Sequence, residues 1–217
     1  CDWSSDVCSS DLYPLVTLAQ AAYKQNKTVQ AERLLESAID LNSYDFYSYY
    51  HKANLFSDQG NYEGALAQYK NVIQLNPQFA NAYERLVTTF WDLGRAEEAL
   101  EPLQKAIQFN LNPALTSDFY QLLGITLFVL QRKEEAKDNF KKAIELDPHS
   151  IEKYSSLCKT LNNTEEKLSL LKQGIKDNPT SAKLYDLLGY ALLDEKKFDE
   201  AIVQFNKAIE LDPKYDQ

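Results

Sequence analysis

The sequence predicts an all-α fold in which helix-turn-helix units stack into a solenoid. Three observations predict it: a phrase that recurs at a period of about 34 residues, helical spacing of large and small side chains within each copy, and turn residues between the copies. The two clearest copies span 134–148 and 199–213, which share Ala, Phe, Ala, Leu and Pro at matching places. Because repetition at a fixed period sets the architecture, a helical repeat array follows.

Alignment on these landmarks gives six units, of which the fifth is degenerate and about three residues short. The proposed units are 12–45, 46–79, 80–113, 117–150, 151–181 and 182–215. Residues spaced by three and four lie on one side of a helix, so each unit is predicted to be a pair of antiparallel helices whose faces meet.

The first helix of each unit carries a large residue at its fourth position, namely Leu15, Tyr49, Tyr83, Tyr120, Tyr154 and Tyr185. A small residue usually follows four places later, at Ala19, Ala53, Gly124, Cys158 and Gly189. In the second helix a small residue precedes a bulky one by four, as in Ala136 before Phe140. The pattern predicts large side chains packed against small ones, with the five tyrosines in the core.

Turn residues separate the predicted helices. Glycines at 60 and 94 mark turns inside units, and Asn-Pro or Asp-Pro pairs at 76, 147, 178 and 212 mark the ends of second helices. The segment 109–115 is predicted to be an extended link, and Pro102 is predicted to bend the second helix of the third unit.

These residues resemble the tetratricopeptide repeat family, whose pattern has a large aromatic, Leu-Gly, Ala, Phe, Ala and Pro at the same intervals. The best copy consists of Tyr185, Leu188, Gly189, Ala201, Phe205, Ala208 and Pro213. The resemblance covers nearly everything after residue 12. It implies a right-handed α-α superhelix with a concave face made by the first helices.

Both ends of the chain are expected to be unnatural. Residues 2–12 resemble a translated sequencing adapter, so we exclude residues 1–12 from fold reasoning as a non-native leader. Removing the three aspartates of this stretch changes the formal net charge from −9 to −6. The true N-terminus is expected to be missing and the chain to be a fragment. The last unit has no polar capping helix, so a homo-oligomer that buries this end is an alternative.

Composition argues against several classes of function. An acidic chain without a Lys/Arg stripe disfavours nucleic acid as a partner, and the apolar runs are too short for a membrane span. His51 and His149 have no partner at metal-ligand spacing, and Cys158 is expected to serve packing. We therefore expect no catalytic residues, no cofactor, no metal and no enzymatic activity.

The resemblance also implies which residues line the concave groove. The candidates for a peptide groove are Tyr13, Gln20, Tyr23, Tyr47, Tyr50, Asn54, Asn81, Glu84, Thr88, Trp91, Gln121, Phe128 and Tyr190. Exposed aromatics with amide neighbours suit a bound protein segment. Packing between neighbouring first helices is an equal alternative for Tyr13, Tyr23 and Trp91.

Family members that grip acidic C-terminal tails use a two-carboxylate clamp of lysines, asparagines and an arginine. Asn54 and Arg85 match it, but Tyr50 and Asn81 stand where lysines belong. A neutral or mildly basic apolar segment is therefore the expected partner.

The predicted function is a protein-protein interaction scaffold that binds a partner segment and assists complex assembly. The alternative is the regulatory or substrate-recruiting arm of a larger enzyme, such as a glycosyltransferase or kinase. An RNA-binding array would require a basic face that the sequence lacks.

Overall fold

The computed structural model describes residues 12–109 and 112–214, except for the side chain of Leu12. These residues contain twelve α-helices, a short 3-10 helix and no strand, so the all-α prediction is confirmed. Most of the leader, residues 1–11, lies outside the described part. The described residues fall into two units, one ending at Phe109 and one beginning at Asn112.

Unit 1 consists of three consecutive helix pairs. Their bounds are α1 Leu12–Lys24, α2 Thr28–Leu41, α3 Phe46–Asp58, α4 Tyr62–Leu75, α5 Ala80–Asp92, a 3-10 helix Ala96–Ala99 and α6 Leu100–Gln108. Each first helix packs on its own second helix, and α2 and α4 each pack on the first helix that follows.

Unit 2 also consists of three helix pairs. Their bounds are α7 Pro113–Val129, α8 Lys133–Leu146, α9 Ile151–Thr160, α10 Thr164–Asp177, α11 Ala182–Asp194 and α12 Phe198–Leu211. The first helices α7, α9 and α11 are in contact as neighbours.

Polar side chains start several helices by accepting a hydrogen bond from a backbone N–H of the first turn. Asp45 caps α3, Asn61 caps α4 and Asn163 caps α10. Asn112 caps α7 in the same way, and Pro113 follows at the first helical position, where a missing N–H costs nothing. The prediction of an extended link through residue 115 is therefore wrong: residues 113–115 form the first turn of α7.

The prediction that Pro102 bends a continuous helix is wrong. The second helix of the third repeat instead begins with the 3-10 helix Ala96–Ala99, and α6 starts at Leu100. Pro102 consequently lies in the first turn of α6, where its missing N–H removes no intrahelical bond.

Five of the six hairpin turns contain a residue in the left-handed region. The residues are Asn26, Gly60, Gly94, Gln131 and Lys196, with φ between 59° and 75°. Each is the fifteenth residue of its proposed unit. The fifth repeat, residues 151–181, differs because α9 ends at Thr160 and Leu161 has an extended conformation.

The predicted packing of large against small side chains is confirmed. A Cβ added to Gly124 would lie 2.7 Å from a ring carbon of Phe140, and one added to Gly189 would lie 2.5 Å from Phe205. The second-helix residues Leu35, Tyr69, Leu103 and Phe140 are all buried. The structure corrects the core assignment of the tyrosines, because only Tyr83 and Tyr154 are fully buried while Tyr49, Tyr120 and Tyr185 keep partial exposure.

Unit 2 buries one cation. Lys153 of α9 is 1% exposed, and its Nζ lies 3.0 Å from Asp118 Oδ1 and 2.7 Å from Asp147 Oδ2. Asp118 belongs to α7 and Asp147 follows α8, so a single side chain connects three helices.

Candidate functional site

The candidate groove in unit 1 is formed by the neighbouring first helices α1 and α3. Two adjacent pockets open between them, and both are lined by Gln20 and His51. Gln20 comes from α1 and His51 from α3, and Gln20 Nε2 lies 2.9 Å from His51 Nε2. This Gln20–His51 bridge therefore stands between the two pockets.

The first pocket, which we call the Asp58 pocket, has a volume of about 240 Å³. Its apolar lining residues are Ala19, Ala31, Leu35 and Leu55, all of them buried. Its polar lining residues are Gln20, Tyr23, His51, Asn54, Ser57, Asp58 and Arg85. The pocket thus combines an apolar floor with a polar rim.

The second pocket, which we call the Tyr47 pocket, has a volume of about 310 Å³. Its lining residues are Tyr13, Val16, Thr17, Gln20, Asp45, Tyr47 and His51. The side chains of Tyr13 and Tyr47 are 75% and 48% exposed, so their rings are available to a ligand. Asp45 is the only acidic residue of the lining, which contains no Lys or Arg.

Burial lowers the pKa of His51, and the nearby charge of Asp45 opposes the effect. His51 is therefore neutral near pH 7, and one of its ring nitrogens accepts a hydrogen bond. The amide of Gln20 donates that bond.

Tyr23 and Asp58 form a second contact between α1 and α3. The Tyr23 hydroxyl donates to Asp58 Oδ2 at 2.5 Å, and this bond raises the pKa of Tyr23. Tyr23 thus contacts the neighbouring first helix and also lines the Asp58 pocket, whereas Tyr13 is 75% exposed.

An aromatic cluster lies beside the Tyr47 pocket. The ring of Phe79 lies 5.1 Å from Phe46, 5.6 Å from Tyr47 and 5.0 Å from Tyr50, measured between centroids. Such tilted and edge-on pairs are attractive beyond the area that they bury. Tyr50 is consequently half-buried and serves packing as well as the groove surface.

The remaining unit 1 candidates are Asn54 and the four residues on α5. Asn54 accepts a hydrogen bond of 2.7 Å from the buried Tyr69 and lines the Asp58 pocket. Asn81 and Glu84 are exposed, and Thr88 donates to the backbone of Arg85. Trp91 is half-buried, and its Nε1 is buried without a hydrogen-bond partner.

The three unit 2 candidates do not meet in one pocket. Gln121 and Phe128 lie half-buried on α7, and Tyr190 lies on α11 with its ring 5.2 Å from Phe205. A pocket of unit 2 is formed by α11 and α12 and is lined by Tyr185, Val203, Gln204, Asn206, Lys207 and Glu210. None of the three candidates lines it.

Sequence reasoning missed several residues that shape the unit 1 groove, among them Asp45, His51, Asp58 and Phe79. His51 follows the predicted groove residue Tyr50, and Asp58 follows Ser57, which the family resemblance also places on the concave face. Phe79 precedes α5 at the end of the second repeat. A search that allowed the groove to extend one residue further along each first helix would have found His51 and Asp58.

Across residues 12–109 and 112–214, no group of three His, Cys, Asp or Glu side chains is placed to hold a metal ion. In the same part of the chain, no helix combines the length and the apolar character that crossing a membrane requires.

Sequence models of one family match three segments of the chain. The descriptions are "TPR repeat" for 53–86 and "Tetratricopeptide repeat" for both 117–150 and 182–215. The chain belongs to the tetratricopeptide repeat family. Two of the three matched segments have the bounds of proposed repeats, and the third begins within α3 and ends within α5.

The TPR chain is also similar to curated proteins. It is 30% identical over 171 residues to the human protein O-mannosyl-transferase TMTC3, a match that covers 75% of the chain and 18% of TMTC3. It is 22% identical over 197 residues to the BBSome complex member BBS4 of Bos taurus, a match that covers 89% of the chain and 36% of BBS4. It is 25% identical over 154 residues to the Hsp70-Hsp90 organizing protein 2 of Arabidopsis thaliana, covering 66% and 26%. The matches thus span 18% to 36% of these relatives' lengths.

Solved structures share the fold of the TPR chain. The MamA protein aligns with a TM-score of 0.60 at 24% identity, covering 79% of this chain and 96% of MamA. PilF of Pseudomonas aeruginosa aligns with a TM-score of 0.69 at 17% identity, covering 96% and 95%. YrrB, described as a TPR protein with an unusual peptide-binding site, aligns with a TM-score of 0.57 at 24% identity, covering 83% and 93%.

Proposed function

We propose that this TPR chain is a non-enzymatic interaction scaffold that binds a segment of a partner protein in the groove between α1 and α3 and thereby assists the assembly of a complex. The observation that carries the proposal is the pair of adjacent pockets on either side of the Gln20–His51 bridge. Exposed tyrosines and amide side chains line both pockets. Tyrosines bury a large area at a small cost in conformational entropy, and amides can hydrogen-bond the backbone of a bound segment.

The names of the relatives support assembly as the biological role. The BBSome member BBS4 and the Hsp70-Hsp90 organizing protein 2 both have names that refer to multi-protein systems. The enzyme-arm alternative is supported by the match to 18% of an O-mannosyl-transferase, and we favour the scaffold because two of the relatives named above belong to assembly or organizing proteins.

The groove is a poor site for an acidic C-terminal tail. Asn54 and Arg85 both line the Asp58 pocket, but Asp58 adds a negative charge there, and Tyr50 lies among aromatic rings where a clamp lysine belongs. Neighbouring carboxylates would repel a second carboxylate from the ligand. The partner segment is therefore expected to be neutral or mildly basic.

Selection of a displayed random-peptide library on the full chain tests the function. Peptides selected by the wild-type chain are expected to bind Tyr47→Ala and Gln20→Ala about tenfold more weakly, because truncating an aromatic or polar anchor removes a large share of binding energy. Tyr44→Ala is the matched control, since Tyr44 is 78% exposed and lines neither pocket.

Equal binding to all three variants would overturn the groove as the site. Circular dichroism of each variant is expected to show unchanged helicity, because Tyr47 and Gln20 are both exposed. Self-association through the exposed apolar side chains of α12, such as Phe198, Ile202 and Ile209, stays a separate prediction that a concentration series in analytical ultracentrifugation addresses.

A further inference from the structure

The two pockets of the unit 1 groove differ in chemistry, and this difference carries information about the ligand. The floor of the Asp58 pocket is apolar, because Ala19, Ala31, Leu35 and Leu55 are at most 3% exposed. The two formal charges among its lining residues, on Asp58 and Arg85, have opposite signs. A pocket with an apolar floor and balanced rim charges suits an apolar side chain.

The Tyr47 pocket has the opposite character. The exposed tyrosines Tyr13 and Tyr47 line it, and the formal charge among its lining residues is on Asp45. One oxygen of Asp45 accepts hydrogen bonds from the N–H and the hydroxyl of Ser48, at 3.0 and 2.5 Å. Both bonds are to Oδ2, and Asp45 also lines the pocket. A carboxylate beside aromatic rings attracts a cation both by charge and by the quadrupole of the rings.

We propose that this groove selects a protein segment with an apolar side chain and a basic side chain held on opposite sides of the Gln20–His51 bridge, the apolar one in the Asp58 pocket and the basic one in the Tyr47 pocket. The proposal rests on the proposed function, because it names the chemistry of the segment that the same groove binds. The chain is acidic with or without the leader, at a formal net charge of −9 or −6, which favours approach of such a segment.

The bridge stands between the sites proposed for the two side chains. His51 and Gln20 bond each other at 2.9 Å and line both pockets, so one layer of side chains separates the two sites. Alternate side chains of an extended segment lie on one face and are about 7 Å apart. A segment bound in extended form would therefore place its apolar and basic residues two positions apart.

Peptides selected from the displayed library provide the first test. We expect Arg or Lys to be enriched two positions from Leu, Ile, Met or Phe. Enrichment of Asp or Glu, or selection of peptides without a basic residue, would overturn the proposal.

A double-mutant cycle provides the second test and identifies the charged pair. Asp45→Asn keeps the cap of α3, because Asn also caps helices well, but removes the charge. For a selected Arg peptide we expect a five- to tenfold loss of affinity, whereas the same peptide with citrulline in place of Arg should bind both proteins equally. Asp40→Asn, on the exposed side of α2, is the matched control and is expected to change nothing.

The outcomes separate the two claims. If selected peptides lose affinity with Tyr47→Ala and Gln20→Ala but show no coupling between Asp45 and the basic residue, the groove function stands and the proposed ligand chemistry is wrong. If they are insensitive to Tyr47 and Gln20 as well, the groove function itself fails.

Discussion

At the scale of single residues, small side chains in the first helices decide how closely the two helices of a repeat approach. Gly124 and Gly189 occupy the same repeat position, and each leaves room for the phenylalanine of its second helix. Phe140 is 2% exposed and has no room to move, whereas Phe205 is partly exposed. Identical substitutions at the two glycines therefore have different consequences.

We expect Gly124→Ala to lower the free energy of unfolding by about 1–2 kcal/mol, because overpacking against a fixed ring outweighs the helix propensity gained by Ala. Gly189→Ala is expected to cost less, since the ring of Phe205 has solvent into which it can shift. Urea unfolding followed by circular dichroism measures both. A larger loss at Gly189 would contradict this account of the packing.

Cys158 provides a second residue-scale prediction. Burial raises the pKa of its thiol to about 11, although the charge of Lys167 opposes the effect. In a chain with Cys1→Ser and Cys8→Ser, we expect Cys158 to react with a maleimide at pH 8 about 100-fold more slowly in the native state than in urea, because the thiolate is the reactive form. Because the pKa of the thiol is higher in the folded than in the unfolded state, the stability that goes with keeping the thiol neutral is present below pH 9 and is lost as pH rises through 9 to 11. Equal rates in both states would show an accessible thiol.

The sequence was sufficient to identify the small and large positions, because packing of a repeat depends on residue size at fixed spacing. It could not identify the Gln20–His51 bridge or the Tyr23–Asp58 hydrogen bond. Both join residues about 30 positions apart that belong to different repeats, and their geometry depends on how neighbouring helices are placed. The partial exposure of Tyr49, Tyr120 and Tyr185 could not be predicted either, because exposure depends on how neighbouring helices are placed.

At the scale of elements, the buried ammonium group of Lys153 holds α7, α8 and α9 together. Its hydrogen bond to Asp147 is the main reason that the pKa of Asp147 is lowered. A lowered carboxyl pKa means that the pair contributes stability above the ordinary pKa of Asp, near 4, and loses it as pH falls below that value.

We expect Asp118→Asn with Asp147→Asn to destabilise the chain by about 3 kcal/mol, because the double variant leaves an uncompensated buried charge. Adding Lys153→Met to the double variant should restore most of the lost stability, since the buried ammonium group is then absent. Glu210→Gln breaks an exposed pair with Lys207 and serves as the control, with an expected effect below about 0.5 kcal/mol. Urea titration at pH 7 distinguishes these cases, and failure of Lys153→Met to rescue would contradict the ionic explanation.

Helix boundaries show what the local sequence determines. The turns with Gly60 and Gly94 and the caps at Asn61 and Asn163 follow from residue chemistry alone. The predicted link through residue 115 is wrong at Asn112 and Pro113, because an Asn-Pro pair also favours a helix start, with Asn as the cap and Pro at the first helical position.

At the scale of the whole molecule, charge limits the choice of partner. Several lysines and arginines of the described helices form ion pairs with glutamates and aspartates, and the chain is acidic overall. Binding to a polyanion requires a cluster of cations that releases counterions.

We therefore expect fluorescently labelled poly(U) to show a dissociation constant weaker than about 100 µM at physiological salt, and no salt-dependent binding in a titration. The peptide selected for the groove, labelled in the same way, is the positive control. Tight and salt-sensitive binding of poly(U) would require a basic surface and would revive the RNA-binding alternative.

The left-handed residue in five of the hairpin turns constrains how this array tolerates insertions and deletions. Since an α-helix rotates by about 100° per residue, adding or losing one residue within a helix of a hairpin would turn the side chains on one side of the change away from their contacts. The fifth repeat shows the length change that is permitted: α9 has ten residues where α11 has thirteen, and the left-handed residue is gone. Three residues are close to one helical turn, so the shortened repeat still presents Tyr154 to Gly174. The loss of about one helical turn is therefore compatible with the contact between the two helices of a repeat.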